Sequence, residues 1–475
     1  MATIETDVCI IGAGSGGLSA AAGIAQLGLK TVLIERDEMG GDCLNTGCVP
    51  SKALIAAAER AHLFNSNKFS GIKSHPAHVD FAGVKDHVQN SIQTIAPHDS
   101  QARFEGLGVH VIRDDAVFIS PSEIRASGDT IKASYYIIAT GARPRIPMIP
   151  GISMHDVLTN KDIFTLRERP EHLVIIGGGP VGVEMAQTHR RLGCDVTLIE
   201  KGSILPHDDR ENVSILRGAL LMEKINLMES STIKSAERNG AHYTLTVSSG
   251  SEIREINCTH IMAATGRTPN IETLGLDRAD IKFDKNGVHT DRRLRTSQKH
   301  IFAIGDVTHE PKFTHVAGYH AGIVLQNICF KMPAKVNYSA LPWVTYCKPE
   351  LAQCGMTEET AIEKYGDKIV VTTSAFANND RAVTQANTKG QIKVISKKNG
   401  RILGASIIGP QAGELISLWA LAISKKMKMK DVAGMIAPYP TLSEINKRVA
   451  GSFYTEKLFS KTIQKIVRYL QKLPF

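Results

Sequence analysis

Cys43 and Cys48 stand with four residues between them in Gly40-Gly41-Asp42-Cys43-Leu44-Asn45-Thr46-Gly47-Cys48-Val49-Pro50-Ser51-Lys52. Pro50 suits a first helical turn, and Lys52-Ala53-Leu54-Ile55-Ala56-Ala57-Ala58-Glu59 has strong helix propensity. A helix starting there points its N-terminal dipole at Cys48 and favours the thiolate, the nucleophilic form of the side chain. The first reading is a redox-active pair on a tight, Gly-rich turn. Two structural cysteines, or half of a zinc site, remain as alternatives. Zinc wants a second pair at short spacing, and Cys347 and Cys354, the one pair that could supply it, are too far apart in sequence. No metal site is expected.

The elements that must serve this pair are two copies of one unit. Val8 to Ile11 is an apolar strand, followed by Gly12-Ala13-Gly14-Ser15-Gly16-Gly17, a small-residue helix from Leu18 to Leu27, and a strand, Thr31-Val32-Leu33-Ile34, ending in Glu35. Strand, GxGxxG, helix, strand and acid form the dinucleotide-binding fingerprint in its proper context. Gly12, Gly14 and Gly17 permit the tight turn and let backbone amides approach a pyrophosphate, and the acid accepts hydrogen bonds from ribose hydroxyls. The unit recurs at Leu173 to Ile176, with Gly177, Gly179 and Gly182, a helix to about Leu192, and a strand from Val196 to Ile199 ending in Glu200. Gly12 to Glu35 and Gly177 to Glu200 span the same interval, so two bound dinucleotides are expected. Beside a cysteine pair they suggest flavin, nicotinamide and dithiol passing electrons in series. Each fingerprint is followed by a buried strand closing on Ala-Thr-Gly, at Thr140-Gly141 and at Thr265-Gly266, where backbone can lie close to a cofactor. Ile301 to Asp306 reads as a buried strand closing on an exposed acid suited to a sugar or ribityl hydroxyl.

At 475 residues, 43% hydrophobic and 22% charged, the chain has the composition of a globular protein of about three domains. Eight cysteines spread this thinly are no disulfide scaffold, and a reducing, cytoplasmic compartment is expected. The chain begins in a strand-like run with no basic leader, and glycines break its first apolar stretch, so neither a signal peptide nor a membrane span is expected. The net charge of +9 lacks the interleaved aromatic and basic groove that nucleic acid requires. The run Lys425 to Lys430 falls where a helix should end, where cations are favoured. From about Asn337 the pattern changes to alternating strands, Ile369 to Phe376, Gln391 to Ser396 and Arg401 to Ile408. Asn399-Gly400 supplies a hairpin turn, and helices follow at Ala412 to Lys426 and Leu442 to Tyr454. Lys457 to Lys472 places apolar residues at helical spacing among lysines and Arg468. Such a basic amphipathic helix packs against its own dimer or lies on an anionic membrane surface.

Together these motifs resemble the pyridine nucleotide–disulfide oxidoreductases across essentially the whole chain: GxGxxG, GGxCxxxGCxPSK, Ala-Thr-Gly, the second GxGxxG, Ala264 to Asn270, Gly305-Asp306 and a C-terminal Pro-Thr-x-x-Glu. That family includes dihydrolipoamide dehydrogenases, glutathione reductases and mercuric reductases. The resemblance implies an α/β fold with two Rossmann-like domains, for FAD and NAD(P), and a C-terminal α+β domain forming a homodimer. It implies FAD binding by 1–150 and 273–336, nicotinamide binding by 151–272, and an interface domain at 337–475 with a basic tail at 455–475. It further implies that Cys43 is the interchange thiol and Cys48 the charge-transfer thiolate against the flavin, with Lys52 near the flavin N5. Glu184 would pair with Lys52 (without the family it reads equally as a solvated helix residue), Glu35 would bind the FAD ribose and Asp306 the ribityl chain. Gly177, Gly179, Gly182, Glu200 and Gly266 fall to the nicotinamide cofactor, and a carboxylate at Glu200 favours NAD(H) over NADP(H) because it repels a 2′-phosphate.

One departure bears on the acceptor. Ala437-Pro438-Tyr439-Pro440-Thr441-Leu442-Ser443-Glu444 carries Tyr439 where thiol-specific members carry a histidine paired with the glutamate as acid–base catalyst. Imidazole titrates near pH 6.5 and phenol near 10, so Tyr439 is a poor base for a substrate thiol at neutral pH. Mercuric reductases are similar in having tyrosine there, but the vicinal Cys-Cys of their tails has no counterpart after Cys354. The expected function is therefore an NAD(P)H-driven, FAD-dependent reduction of a small disulfide or a soft metal ion at Cys43. Other readings stand beside it: a mercuric reductase proper or a dihydrolipoamide dehydrogenase, a redox-responsive flavoprotein whose tail docks to a membrane or partner, and a plain NADH:acceptor oxidoreductase with idle cysteines. Tyr439 and Glu444 are kept as candidate catalytic residues.

Overall fold

The computed structural model describes residues 2–65, 69 and 71–474. Its first unit is the strand Thr3–Ile11, the helix Ser15–Gln26 and the strand Thr31–Ile34. The two strands run parallel, with Ile11 beside Ile34, and Thr3–Ile11 also pairs in parallel with Asp129–Ile138. Val109–Ile112 and Ile301–Ala303 extend this parallel sheet on either side. Successive side chains point to opposite faces. Val8, Ile10, Leu33 and Ile137 pack in one cluster, and Cys9, Ile11, Val32 and Ile138 pack in another with Phe118 and Ile124. Burial on both faces is why these strands read as unbroken apolar runs rather than alternating ones. The helix Ser15–Gln26 lies close against the helix Thr314–Cys329, since a Cβ at Gly23 would meet Leu325 Cδ1 at 2.4 Å.

The second unit repeats the plan with His172–Ile176, the helix Pro180–Arg191 and Asp195–Ile199, in a parallel five-stranded sheet. The two Ala-Thr-Gly segments run on into Ala142–Pro144 and Arg267–Pro269, which pair antiparallel. Asn270 Nδ2 donates to the Thr140 carbonyl (2.9 Å) and the Thr140 hydroxyl donates to the Asn270 carbonyl (2.8 Å). The motifs that look like independent cofactor contacts in the sequence are thus also the double crossing between the nucleotide domains. An antiparallel meander, Ser231–Asn239, His242–Ser249 and Glu252–Cys258, was not anticipated. Its last strand buries only Ile256 and Cys258, so its sequence carries too little apolar alternation to show.

The C-terminal region is an antiparallel sheet of Pro342–Thr345, Glu350–Gly355, Ile402–Gly409, Gln391–Lys397 and Ile369–Ala375, in that spatial order. Asn399-Gly400 makes the expected turn, with Gly400 at φ +83°. The first two strands went unrecognised in the sequence, being short and partly polar. The helices Ala412–Ser424 and Glu444–Ser452 back the sheet, and the buried Trp419 donates its Nε1–H to Asn446 Oδ1 at 2.8 Å. The helix Ala412–Ser424 stops at the start of the lysine run, as expected. The tail forms a helix, Lys461–Leu470, on which every residue except Ile463 is exposed in the single chain. Phe475, the last residue of the expected tail, lies outside the described residues. Among the described residues no helix is long and apolar enough to cross a membrane.

Candidate active site

Each GxGxxG does three separate jobs. Gly12 and Gly177 adopt φ of +103° and +109°, and a Cβ at either would meet a carbonyl oxygen, of Ala139 at 2.5 Å or Ala264 at 2.4 Å. A Cβ at Gly17 or Gly182 would strike the carbonyl oxygen of Gly12 or Gly177 at 1.8 and 1.9 Å, so helix and loop close only on glycine. Gly14 and Gly179 have nothing within 4 Å of a Cβ and line the main cavity, leaving their backbone open to a ligand. Glu35 accepts from the N–H groups of Ala13 (2.6 Å) and Asp37 (2.8 Å), and Glu200 repeats this with Gly178 (2.7 Å) and Gly202 (2.8 Å). Both acids are thereby held at the rim of their glycine loop with lone pairs to spare. These features fit two dinucleotides, and the cavity that both loops line holds about 2350 Å³. That is more than twice the ~1,000 Å³ upper end of an ordinary small-ligand site.

Cys43, Cys48, Lys52, Thr140, Gly141, Glu184, Gly266 and Asp306 line the same cavity. The cysteines do not share one tight turn as expected. Cys43 sits on a short helix, Gly41–Asn45, and Cys48 opens the next, Cys48–Asn65. Thr46 and Gly47 separate the two helices, and position 47 takes only glycine, because a Cβ there would meet the Asp42 carbonyl oxygen at 2.8 Å. Asn160 fastens the first helix by donating to Asp42 Oδ1 (3.0 Å) and to the Thr46 carbonyl (2.9 Å). Neither Cys43 nor Cys48 is in a disulfide in this structure.

One proton is divided unequally between them. Cys48 is pushed down to about 6, first by the hydrogen bond from Cys43 and, against the opposing effect of burial, by the Thr314 hydroxyl and the Lys52 cation. The Thr314 hydroxyl lies 3.2 Å from the Cys48 sulfur. Cys43 is driven well above the ordinary thiol range by the same hydrogen bond and by burial. At neutral pH the reduced pair is thus a Cys48 thiolate beside a Cys43 thiol, with Cys48 in the first turn of an 18-residue helix as the dipole argument requires. In a Cys43→Ala variant the Cys48 titration is expected to move above about 6, because its largest stabilising contact is gone. The pH profile of Cys48 alkylation by iodoacetamide checks this; an unmoved midpoint would leave Lys52 and Thr314 as sufficient causes.

Lys52 Nζ donates to Glu184 Oε2 at 2.9 Å, and Glu184 Oε1 accepts the Tyr346 N–H at 2.9 Å. Glu184 is only 4% exposed, so the reading of a solvated helix residue is overturned. The Tyr346 ring lies under the ammonium, 4.5 Å from its centroid. Asp306 is not the exposed acid the sequence suggested. It is half-buried, its carboxyl is raised by burial, and Arg267 Nε stands 3.2 Å from it. Arg267 Nη1 also pairs with Asp42 at 2.9 Å, joining the Cys43 helix to the Asp306 segment. Sequence reasoning missed Arg267, Asn160 and Thr314 as site residues. Arg267 lay in the Ala264 to Asn270 motif, whereas nothing local marks Thr314, which meets Cys48 only through the fold.

Tyr439 and Glu444 are not brought to this cavity. Tyr439 is 70% exposed and donates to Asp380 Oδ2 at 3.0 Å, not to Glu444, which begins the helix Glu444–Ser452. Within one chain, neither of these two candidate catalytic residues lies in the cavity with the cysteines. If these two residues act on a cysteine pair, it is that of a second subunit.

Residues 6–321 match the family model described as pyridine nucleotide-disulphide oxidoreductase, and residues 341–450 match the dimerisation domain of the same family. The chain is 33% identical to a dihydrolipoyl dehydrogenase of Geobacillus stearothermophilus over 94% of its own length and 96% of the relative's. It is equally 33% identical to a mercuric reductase of Staphylococcus aureus, covering 94% of this chain and 82% of that one. Among solved structures, the Cu(II) complex of the HOCl-induced flavoprotein disulfide reductase RclA from Escherichia coli superposes with a TM-score of 0.84 at 26% identity, over 94% of this chain and 99% of that one. Two nucleotide loops, a polarised cysteine pair in the cavity they share and these matches converge: the chain belongs to the pyridine nucleotide-disulphide oxidoreductases, the FAD-dependent enzymes that couple a pyridine nucleotide to a redox-active disulfide.

Proposed function

We propose that this protein uses NADH to reduce a small-molecule disulfide at Cys43. The observation that carries the reading is the polarised pair, a Cys48 thiolate held by Cys43, Thr314 and Lys52 inside the cavity shared by both dinucleotide loops. Residues 1–150 and 273–336 bind FAD, through Gly12, Gly14, Gly17, Glu35, Thr140, Gly141 and Asp306. Residues 151–272 bind the nicotinamide cofactor, through Gly177, Gly179, Gly182, Glu200 and Gly266, and residues 337–475 form the interface of a homodimer. When bound, the flavin supplies the two-electron relay between nicotinamide and cysteines. Lys52, oriented by Glu184, holds a positive charge where negative charge arises on reduction. The cysteine disulfide accepts two electrons and one proton, leaving a Cys48 thiolate and a Cys43 thiol. Cys43 then gives up its proton and attacks one acceptor sulfur, breaking the acceptor S–S bond and releasing its first half, which takes that proton as a thiol. The Cys48 thiolate attacks the Cys43 sulfur of the mixed disulfide, closing the internal disulfide and releasing the second half as a thiolate that takes a proton from solvent.

Glu200 supports NADH over NADPH, since it sits at the loop rim where a 2′-phosphate would meet its charge. Tyr439 supports a second reading in which the acceptor is a soft metal ion, because a phenol serves poorly as a base for dithiol exchange. A steady-state panel of NADH and NADPH against lipoamide, glutathione disulfide and Hg(II) tests both. The expected result is NADH-dependent turnover with at least one disulfide, and turnover with Hg(II) alone would replace the first reading by the second. The exposed apolar stripe of Lys461–Leu470 is read as packing in the dimer rather than on a membrane surface. Removing 455–475 is then expected to weaken dimerisation in sedimentation experiments. An unchanged dimer, with liposome binding lost on truncation, would favour the membrane. The cytoplasm, being reducing, is the compartment that fits.

A further inference from the structure

Outside the cavity, Asp284, His289 and His309 bring one carboxylate and two imidazoles to a single point on the surface, their ligand atoms all within 4.8 Å of one another. None of the three lines the cavity described above. Asp284 ends the first arm of a small hairpin, Phe283–Asp284 paired with Gly287–Val288, and His289 follows the second arm. Val288 is bridged to Thr308, which sets His309 beside His289. The hairpin is pressed onto that neighbouring segment, for a Cβ at Gly287 would meet the Val307 carbonyl oxygen at 2.3 Å. Backbone contacts therefore hold the three residues near one another.

The donor geometry is that of a transition-metal site. His309 Nε2 lies 3.0 Å from Asp284 Oδ1 and His289 Nε2 lies 3.3 Å from Asp284 Oδ2. The two rings meet edge to face with centroids 4.6 Å apart. Ligands bonded to zinc at 2.0–2.2 Å in a tetrahedron stand about 3.3–3.5 Å from one another, so these atoms need move little to share an ion. The Asn286 N–H donates to Asp284 Oδ1 at 2.7 Å, fixing the orientation of the carboxylate. A plain ion pair accounts for the cluster less well. Exposed carboxylate–imidazole contacts contribute little by themselves. Imidazole nitrogen suits zinc and copper, whereas magnesium and calcium prefer oxygen alone.

We propose that Asp284, His289 and His309 bind one divalent transition-metal ion of the zinc class, with solvent completing its coordination. The ion clips the 283–288 hairpin to the segment Gly305–Thr308, which carries Asp306 into the cavity. Its role is structural, distinct from any metal that reaches Cys43.

The test is titration calorimetry of the FAD-loaded, disulfide-oxidised enzyme, dialysed against chelator, with zinc chloride and with magnesium chloride. Keeping Cys43 and Cys48 oxidised removes them as competing thiolate ligands. One zinc per chain is expected in the wild type and none of the magnesium. Affinity for that zinc is expected to fall at least tenfold in His289→Asn and in His309→Asn, and zinc should raise the melting midpoint of the wild type but of neither variant. Zinc binding of unchanged stoichiometry and affinity in both variants, or no zinc binding by the wild type, overturns the proposal.

Discussion

Cys43→Ser is expected to lower NADH-driven disulfide turnover on the order of a thousandfold or more, while the FAD stays bound and still accepts electrons from the nicotinamide. Serine cannot form the internal disulfide, and an alkoxide is not accessible at neutral pH, so no nucleophile faces the acceptor. Binding should survive because Cys43 sits on a short helix whose position depends on Asn160, Asp42 and Arg267 rather than on its sulfur. Cys48→Ser should cost about as much, and the double variant little more, since the two sulfurs act as one unit and losses within a unit do not add. Stopped-flow reduction of the bound flavin separates the two halves of the cycle: reduction by NADH persists, and transfer onward stops. Full disulfide turnover in the double variant would identify an enzyme whose cysteines are idle, and would withdraw the proposed function.

The second large effect is on stability. Lys393→Met is expected to destabilise the protein by about 3–5 kcal/mol, the usual cost of leaving a buried charge, here Asp209, without its partner. Lys393 is 5% exposed and its Nζ reaches Asp209 (3.1 Å), Glu211 (2.6 Å) and Glu358 (2.9 Å). Asp209 is itself buried and caps the helix Arg210–Met222, so the cluster ties the nucleotide-binding half to the C-terminal sheet. Burial alone would lower the Lys393 ammonium, but hydrogen bonds to Glu211, Glu358 and Asp209 outweigh it and hold the group above the usual lysine range. Glu211 is held below its ordinary value, chiefly by its hydrogen bond from Lys393. The signs follow from linkage. The lysine's contribution is present below its unfolded value of 10.5 and is lost as pH rises through the higher folded value. The glutamate's is present above its unfolded value of 4.5 and is lost as pH falls through the lower folded value. The deficit of Lys393→Met, measured by denaturant unfolding, is thus expected to be largest between those limits and to shrink in acid. A variant as stable as the wild type at pH 7 would show that the cluster contributes nothing net.

Much of the site was legible because its parts are local. Gly12, Gly14 and Gly17 with Glu35, and their repeat at Gly177 to Glu200, each act within one strand–loop–helix unit. At Gly12 and Gly177 the steric demand comes from Ala139 and Ala264, which only the fold brings near, whereas at Gly17 and Gly182 it comes from Gly12 and Gly177 in the same loop. The first turn of the helix at Cys48 was legible for the same reason, from Pro50 and the alanine-rich run behind it. Where a strand faces solvent, as in Glu252–Cys258, two buried residues leave no periodic signature, and the element stayed hidden.

The amino-acid sequence alone determined that two dinucleotide loops and a cysteine pair coexist in one chain, since each is written in contiguous residues whose backbone geometry or reactivity is short-range. The tertiary structure decided what those parts mean to one another. It set Thr314 and Lys52 on Cys48, buried Glu184 under Lys52, and ran Arg267 between Asp42 and Asp306. It also turned two Ala-Thr-Gly motifs into a crossing between domains, left Tyr439 on Asp380, outside the cavity, and brought His289 to His309. Hydrogen bonds and charge interactions act over a few ångströms of space, not of sequence. A thiol's proton, a lysine's charge and an acid's burial therefore depend on neighbours that only the folded chain supplies.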